Sequence, residues 1–74
     1  FLVDINSAAW PEIAQLPGIG ETLARRIVEE REQHGPFVDA DEIDDRVYGI
    51  GPKKLEQIRP YLTLPEELAS ELDR

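Results

Sequence analysis

The chain has 74 residues, no cysteine and a single histidine, which excludes disulfides, thiolate metal sites and multi-histidine zinc sites. Its net charge is −8, and no apolar run approaches the ~20 residues that a membrane-spanning helix needs. A chain of this length forms one domain with a small core. Because it begins at Phe1 and contains no methionine, we expect it to be part of a longer protein.

Proline and glycine divide the first half of the chain into two helical segments. Pro11 suits the first turn of a helix, which Pro17-Gly18 ends. Apolar residues between Glu21 and His34 recur on one helical face and predict a longer second helix. Gly35 stands where the C-cap of that helix belongs.

The second half repeats this plan with a different helix start. Asp39 and Glu42 have the spacing of a capping box, which predicts a third helix to about Asp45. Pro52 begins a fourth helix, which Pro60 ends. The repeated pattern indicates an all-α fold.

The two ends of the chain differ from its helical middle. Residues 2–5 alone hint at the alternation of a strand, and residues 61–64 are predicted to be extended and to pack on the core. Residues 65–74 are predicted to form a short acidic helical extension. The predicted architecture is therefore a compact domain of four to five short helices at residues 1–64, followed by that extension.

Gly-Ile-Gly occurs twice, at residues 18–20 and 49–51, each time before a predicted helix. Two such units pack against each other, because neither buries its apolar stripe alone. Glycine adopts positive φ without steric cost, and the central isoleucine is expected to point inward. The first N–H groups of the next helix lack intrahelical acceptors and attract anions. The repeat therefore predicts two hairpins, at residues 16–20 and 47–51, that bind two phosphate groups.

Charged side chains follow both turns closely. The basic ones are Lys53 and Lys54 after the second turn, and Arg25 and Arg26 one helical turn beyond the first. Thr22 adds a hydroxyl donor, whereas Glu21 would compete with phosphate for the amides of the first turn. We therefore expect the second turn to bind phosphate more strongly. With about four useful cations, binding should be weak and sensitive to salt.

A resemblance to the tandem helix-hairpin-helix domain (a SAM-like fold) of bacterial competence proteins of the ComEA type rests on four stretches. They are VDIN at 3–6, LPGIG at 16–20, REQHGPF at 31–37 and GIGPKKLEQIRPYL at 49–62. The resemblance implies a domain of a DNA-uptake or DNA-processing protein that binds the DNA backbone without sequence preference. We expect duplex rather than single-stranded DNA as the partner, and a monomeric domain.

The resemblance also implies site residues and a location. The phosphate-binding positions that it implies in this sequence are Gly18, Ile19, Gly20, Thr22, Gly49, Ile50, Gly51, Lys53 and Lys54, to which Arg25 and Arg26 are added by their position. It implies a location at the cell envelope or outside the cytoplasm. No cofactor is expected, apart from a weakly bound monovalent cation at a hairpin loop.

Two other classes of function compete with DNA binding. Certain DNA glycosylases join an L-P-G-(V/I)-G hairpin to a catalytic aspartate about twenty residues on, and Asp39 lies near that distance from Gly20. Base flipping needs an enclosing pocket, for which this chain is too short, and Asp39 already serves as an N-cap, so no enzyme is expected. The alternative is an acidic protein-interaction module that has lost DNA binding. It would present the carboxylates at 39–45 and 66–73 to a basic partner.

The aromatic residues divide between core and surface. Trp10, Phe37 and Tyr61 are predicted to anchor the core. Tyr48, which lies beside the second turn, is the aromatic residue expected at a nucleic-acid surface.

Overall fold

The computed structural model describes residues 2–64, and the predicted C-terminal helix lies outside them. The elements in chain order are β1 (Val3–Asp4), α1 (Trp10–Ile13), α2 (Gly20–His34), α3 (Ala40–Arg46), α4 (Pro52–Ile58), a 3₁₀ turn (Arg59–Tyr61) and β2 (Leu62–Thr63). The all-α prediction is confirmed, with one short parallel pairing of β1 and β2 added at the ends of the domain. No helix among the described residues is both long enough and apolar enough to span a bilayer.

The boundaries of α2 and α3 follow the local signals in the sequence. α2 ends at His34 because Gly35 adopts a φ of 92°, a left-handed conformation that residues with a side chain rarely adopt. Asp39 caps α3, since its Oδ1 accepts a hydrogen bond of 3.0 Å from the Glu42 amide. The Glu42 carboxylate in turn accepts from the amide of Val38 at 2.8 Å. The capping box is therefore present, although its second bond comes from the amide of Val38, one residue before the N-cap Asp39.

The helix before each turn differs in length between the two units. α1 ends at Ile13, earlier than predicted, and the Leu16 amide donates to the Ile13 carbonyl three residues back at 3.0 Å. In the second unit the Val47 amide donates to the Ile43 carbonyl four residues back, also at 3.0 Å. The second unit therefore has one more residue than the first between the helix carbonyl that accepts this bond and the glycine turn.

A single core joins the two units. Equivalent apolar positions of the repeat are all buried, namely Leu16 and Val47, Ile19 and Ile50, Ala24 and Leu55, and Ile27 and Ile58. The described part of the chain has no buried polar or charged side chain. The sequence repeat thus corresponds to two helical units that bury the same face against each other.

The aromatic predictions are confirmed for Phe37 and in part for Trp10. Phe37 is fully buried, and Trp10 packs against the edge of the core. The expectation for Tyr61 is wrong, since its side chain is 37% exposed. Leu62 and Leu64 alternate inward along the extended segment and take the buried positions instead.

The N-terminal segment is tied to the loop after α2. The Asn6 side chain accepts a 2.7 Å hydrogen bond from the Phe37 amide and donates one of 2.8 Å to the Phe37 carbonyl. Arg31 Nη1 also donates to the Ile5 carbonyl at 2.9 Å. Together with the pairing of Val3 with Leu62, these bonds close the domain.

Arg46 joins the end of α3 to the end of α2. Its Nε donates to Glu30 Oε2 at 3.0 Å, and its Nη atoms donate to the carbonyls of Gly35 and Pro36 at 2.6 and 3.1 Å. The guanidinium carbon lies 4.3 Å from the centroid of the Phe37 ring. Since Arg46 directly precedes the second turn, these contacts fix where that turn begins.

The contact with Arg46 predicts an acid-sensitive contribution to stability. The hydrogen bond from Arg46 lowers the pKa of Glu30, against a weaker opposing effect of desolvation, and His34 lowers it further. Such a carboxylate stabilises the fold above the unfolded-state pKa of about 4.3, and this stabilisation is lost as the pH falls through the folded-state value. Between about pH 5 and pH 3, the free energy of unfolding should therefore fall less steeply in Glu30→Gln than in the wild type. Urea titrations followed by Trp10 fluorescence measure the two slopes, and equal slopes would contradict the prediction.

Candidate nucleic-acid interface

The second glycine turn packs directly against α2 of the first unit. Gly49 has a φ of 102°. A Cβ at this position would lie 2.7 Å from Leu23 Cδ2 and 3.0 Å from Arg26 Nη1. A side chain here would strain the left-handed backbone and would require the ends of the Leu23 and Arg26 side chains to move.

The first glycine turn packs in the equivalent way against α4 of the second unit. A Cβ at Gly18 would lie 3.2 Å from Gln57 Oε1 and 3.7 Å from Lys54 Cε. Lys54 and Gln57 occupy the same places in their repeat as Leu23 and Arg26 do in theirs. The two units therefore exchange contacts with approximate two-fold symmetry, each turn lying on the helix of the other unit.

The glycines of the two turns are not equivalent in conformation. Gly18 and Gly20 have φ values of 76° and 67°. In the second turn only Gly49 has a positive φ, since Gly51 has a φ of −100° and acts as the N-cap of α4. The prediction that glycine supplies left-handed backbone holds for three of these four positions, and Gly51 is the exception.

The central isoleucines hold the turns to the core. Ile19 and Ile50 are buried, as expected. Their amides donate within the turns, to the carbonyls of Leu16 at 3.1 Å and Val47 at 3.3 Å. Each isoleucine is thus committed to the shape of its turn through both its side chain and its amide.

The two lysines after the second turn point to different places. Lys53 is exposed, whereas Lys54 is half-buried with its side chain against Gly18 of the first turn. The amides of both residues precede the first α-helical bond of α4, which runs from Leu55 to Gly51 at 3.0 Å. Lys54 therefore brings a cation of the second unit to the first turn, a placement that the linear sequence did not indicate.

Arg25 and Arg26 of α2 make contacts at different turns. Arg25 Nε donates to Glu21 Oε2 at 2.9 Å, and its guanidinium lies 4.3 Å from the Trp10 ring centroid. Arg26 Nη1 donates to the Tyr48 carbonyl at 2.9 Å, and its guanidinium lies 5.5 Å from the Tyr48 ring centroid. Arg25 thus partly neutralises Glu21, while Arg26 braces the second turn. Thr22 is exposed beside Glu21.

A cleft of about 330 Å³ lies between α2 and the start of the second turn. Its lining residues are Arg26, Glu29, Glu30, Gln33, Arg46, Val47 and Tyr48. Among them, the sequence predicts only Arg26 and Tyr48 for a nucleic-acid surface. The cleft forms where residues 46–48 lie against α2, an approach that includes the bond from Arg46 to Glu30. Within residues 2–64, no group of three or more metal-ligating side chains is placed to hold a metal ion.

Comparison with known proteins agrees with this architecture. A family model described as the helix-hairpin-helix motif matches residues 2–63. The chain belongs to the helix-hairpin-helix family. It is 36% identical over 63 residues to ComE operon protein 1 of Bacillus subtilis, a match that covers 85% of this chain and 30% of that protein. The resemblance to the ComEA type is thereby confirmed.

Two human proteins are also similar to this helix-hairpin-helix domain. S1 RNA-binding domain-containing protein 1 is 29% identical over 65 residues, which cover 88% of this chain and 6% of that protein. Endonuclease/exonuclease/phosphatase family domain-containing protein 1 is 40% identical over 57 residues, which cover 77% of this chain and 10% of that protein. The chain thus spans less than a third of the length of each of these relatives.

The different roles of Gly49 and Gly51 predict different tolerance of substitution. Gly49→Ala should lower the free energy of unfolding by about 2–4 kcal/mol, which combines left-handed backbone strain with displacement of Leu23. Gly51→Ala should cost less than about 1 kcal/mol, because its φ suits any residue and nothing lies within 4 Å of the added Cβ. Urea denaturation measures the free energy of unfolding of both variants. Equal losses would show that the second turn does not pack on α2 as described.

Proposed function

We propose that this helix-hairpin-helix domain binds the phosphate backbone of duplex DNA without sequence preference, using both glycine turns. The crossed packing of the turns is the observation that carries the proposal. It holds the two turns on one rigid core and sets Lys54 beside Gly18, so that cations and turn amides occur together. The phosphate-binding residues are those predicted from the sequence, with Ile19 and Ile50 acting through the shape of the turns.

The net charge of −8 limits the affinity without excluding this function. Most carboxylates lie outside residues 47–64, for example in α3, where Asp41 and Asp45 are exposed. Residues 47–64 carry three basic side chains against one carboxylate, Glu56. Non-specific affinity grows with the number of phosphates neutralised, so a domain with few cations binds weakly and loses affinity steeply as salt rises. In a longer protein this domain would hold DNA during uptake or processing.

Neutralising the lysines tests the proposal. In fluorescence anisotropy with duplex DNA at roughly 20 mM salt, Lys53→Gln/Lys54→Gln should bind more weakly to every sequence alike. The slope of log affinity against log salt should become shallower by about one to two units, since each lysine neutralises one phosphate.

A matched control removes the same kind of charge at the other end of α4. Arg59 directly follows α4 and pairs with Asp41 of α3 at 3.2 Å, so Arg59→Gln should leave the salt slope unchanged. If Arg59→Gln lowers the affinity and the salt slope as much as the double lysine variant does, binding depends on the overall charge and not on the turns. If the wild-type chain binds no DNA at this salt, the proposal fails, and the acidic surface of α3 becomes the candidate site for a basic protein partner.

Removing the carboxylate of the first turn should have the opposite effect. Glu21→Gln releases Arg25 and removes the negative charge closest to the amides of that turn, so DNA binding should tighten about two- to fivefold at low salt. Glu32→Gln removes the same charge in the last turn of α2 and serves as the control. The same gain in both variants would contradict competition at the first turn.

A further inference from the structure

Tyr48 is a large aromatic side chain that is held in place and yet exposed to solvent. Its side chain is 86% exposed, the highest value among the exposed large hydrophobic residues of the described chain. Arg26 contacts Tyr48 at two points: it donates to the backbone carbonyl at 2.9 Å, and its guanidinium lies 5.5 Å from the ring centroid. The equivalent residue of the first unit is Pro17, so this feature belongs to the second turn alone.

The cleft beside Tyr48 has polar groups suited to the edge of a nucleobase. Gln33 Nε2 donates to Glu29 Oε1 at 3.4 Å, which leaves the Gln33 carbonyl and the second Glu29 oxygen as acceptors. Arg26, on the same side of α2, supplies donors. The volume of about 330 Å³ lies at the lower end of the range for small-molecule sites, which is roughly 300–1,000 Å³.

The charges of the cleft favour a base over a phosphate. Glu30 is paired with Arg46 at 3.0 Å and is thereby compensated. Glu29 is exposed at the opening of the cleft and would repel a phosphate, whereas an uncharged base with amino groups could donate to it. Lys53 lies five residues beyond Tyr48 on the other side of the turn and offers a cation for the backbone of the same nucleotide strand.

We propose that Tyr48 and the adjoining cleft bind one unpaired nucleobase of a DNA strand whose backbone lies at the second turn. The base stacks on the Tyr48 ring, and its polar edge faces Arg26, Glu29 and Gln33. Bases inside a duplex are already stacked on both faces, so only an unpaired base can use this site. This inference rests on the proposed backbone binding and adds a preference for DNA that carries an unpaired segment.

Three fully paired DNA duplexes that differ only at one end separate stacking from backbone binding. One is blunt, one carries a single-stranded overhang of about three nucleotides, and one carries the same overhang with abasic sites, which retain the phosphates and lack the bases. In anisotropy titrations at roughly 20 mM salt, the wild-type chain should bind the overhang with bases about tenfold more tightly than the abasic overhang, as expected for one stacked base. Tyr48→Ala should abolish this difference, while Tyr48→Trp should keep it. Far-UV circular dichroism verifies that both variants remain helical.

The outcomes distinguish this inference from the proposed function. If the wild type binds the blunt duplex but binds both overhangs equally, base stacking is refuted and backbone binding stands. Stacking is also refuted if Tyr48→Ala weakens binding to all three duplexes by the same factor, since Tyr48 would then act only through the shape of the turn. If the wild type binds none of the three, both proposals fail together.

Discussion

The close approach of Gly49 to Leu23 is the contact on which the arrangement of both turns depends. The space of one missing methyl group lets the second turn lie on α2, and Gly18 makes the equivalent approach to α4. The two contacts cross between the units, so neither turn can shift without moving the helix that follows the other. Ile19 and Ile50 then fix both turns to the shared core from within. A pair of short turns thereby acquires a fixed separation, which a linear repeat alone does not provide.

The crossing also redistributes charge between the units. Lys54 belongs to the second unit in sequence but lies at the first turn, and Arg26 belongs to the first unit but bonds to the second turn. Glu21, which the sequence places unopposed after the first turn, is paired with Arg25. The expected inequality between the two turns stays a prediction, but its physical basis is weaker than the sequence alone implies. The local arrangement of charges carries more information here than the net value of −8.

Local features of the sequence were sufficient to place the helices. Gly35, Asp39 and Pro52 each act within one helical turn of their position, so their effects could be predicted without knowing the fold. The repeat likewise predicted that the two units pack against each other and that the central isoleucines, Ile19 and Ile50, point inward. The placement of Lys54 and the lining of the cleft could not be predicted in this way, since they depend on how units distant in sequence dock. Tyr61 was misassigned because its burial is decided by the strand register that follows it, in which Leu62 and Leu64 face inward.

The approximate symmetry makes the remaining differences informative. At equivalent places the first unit has Pro17 where the second has Tyr48, and Gly51 lacks the left-handed backbone that Gly20 adopts. Neither difference is needed to build the shared core, because both units bury the same positions without them. The core does not require a tyrosine at position 48, and the ring is exposed next to a cleft. A ligand therefore explains this difference between the units better than packing does. In the proposed binding mode, carboxylates in that cleft and along α3 repel phosphate groups from these surfaces, so the acidic character of the chain favours placement of the DNA backbone at the turns.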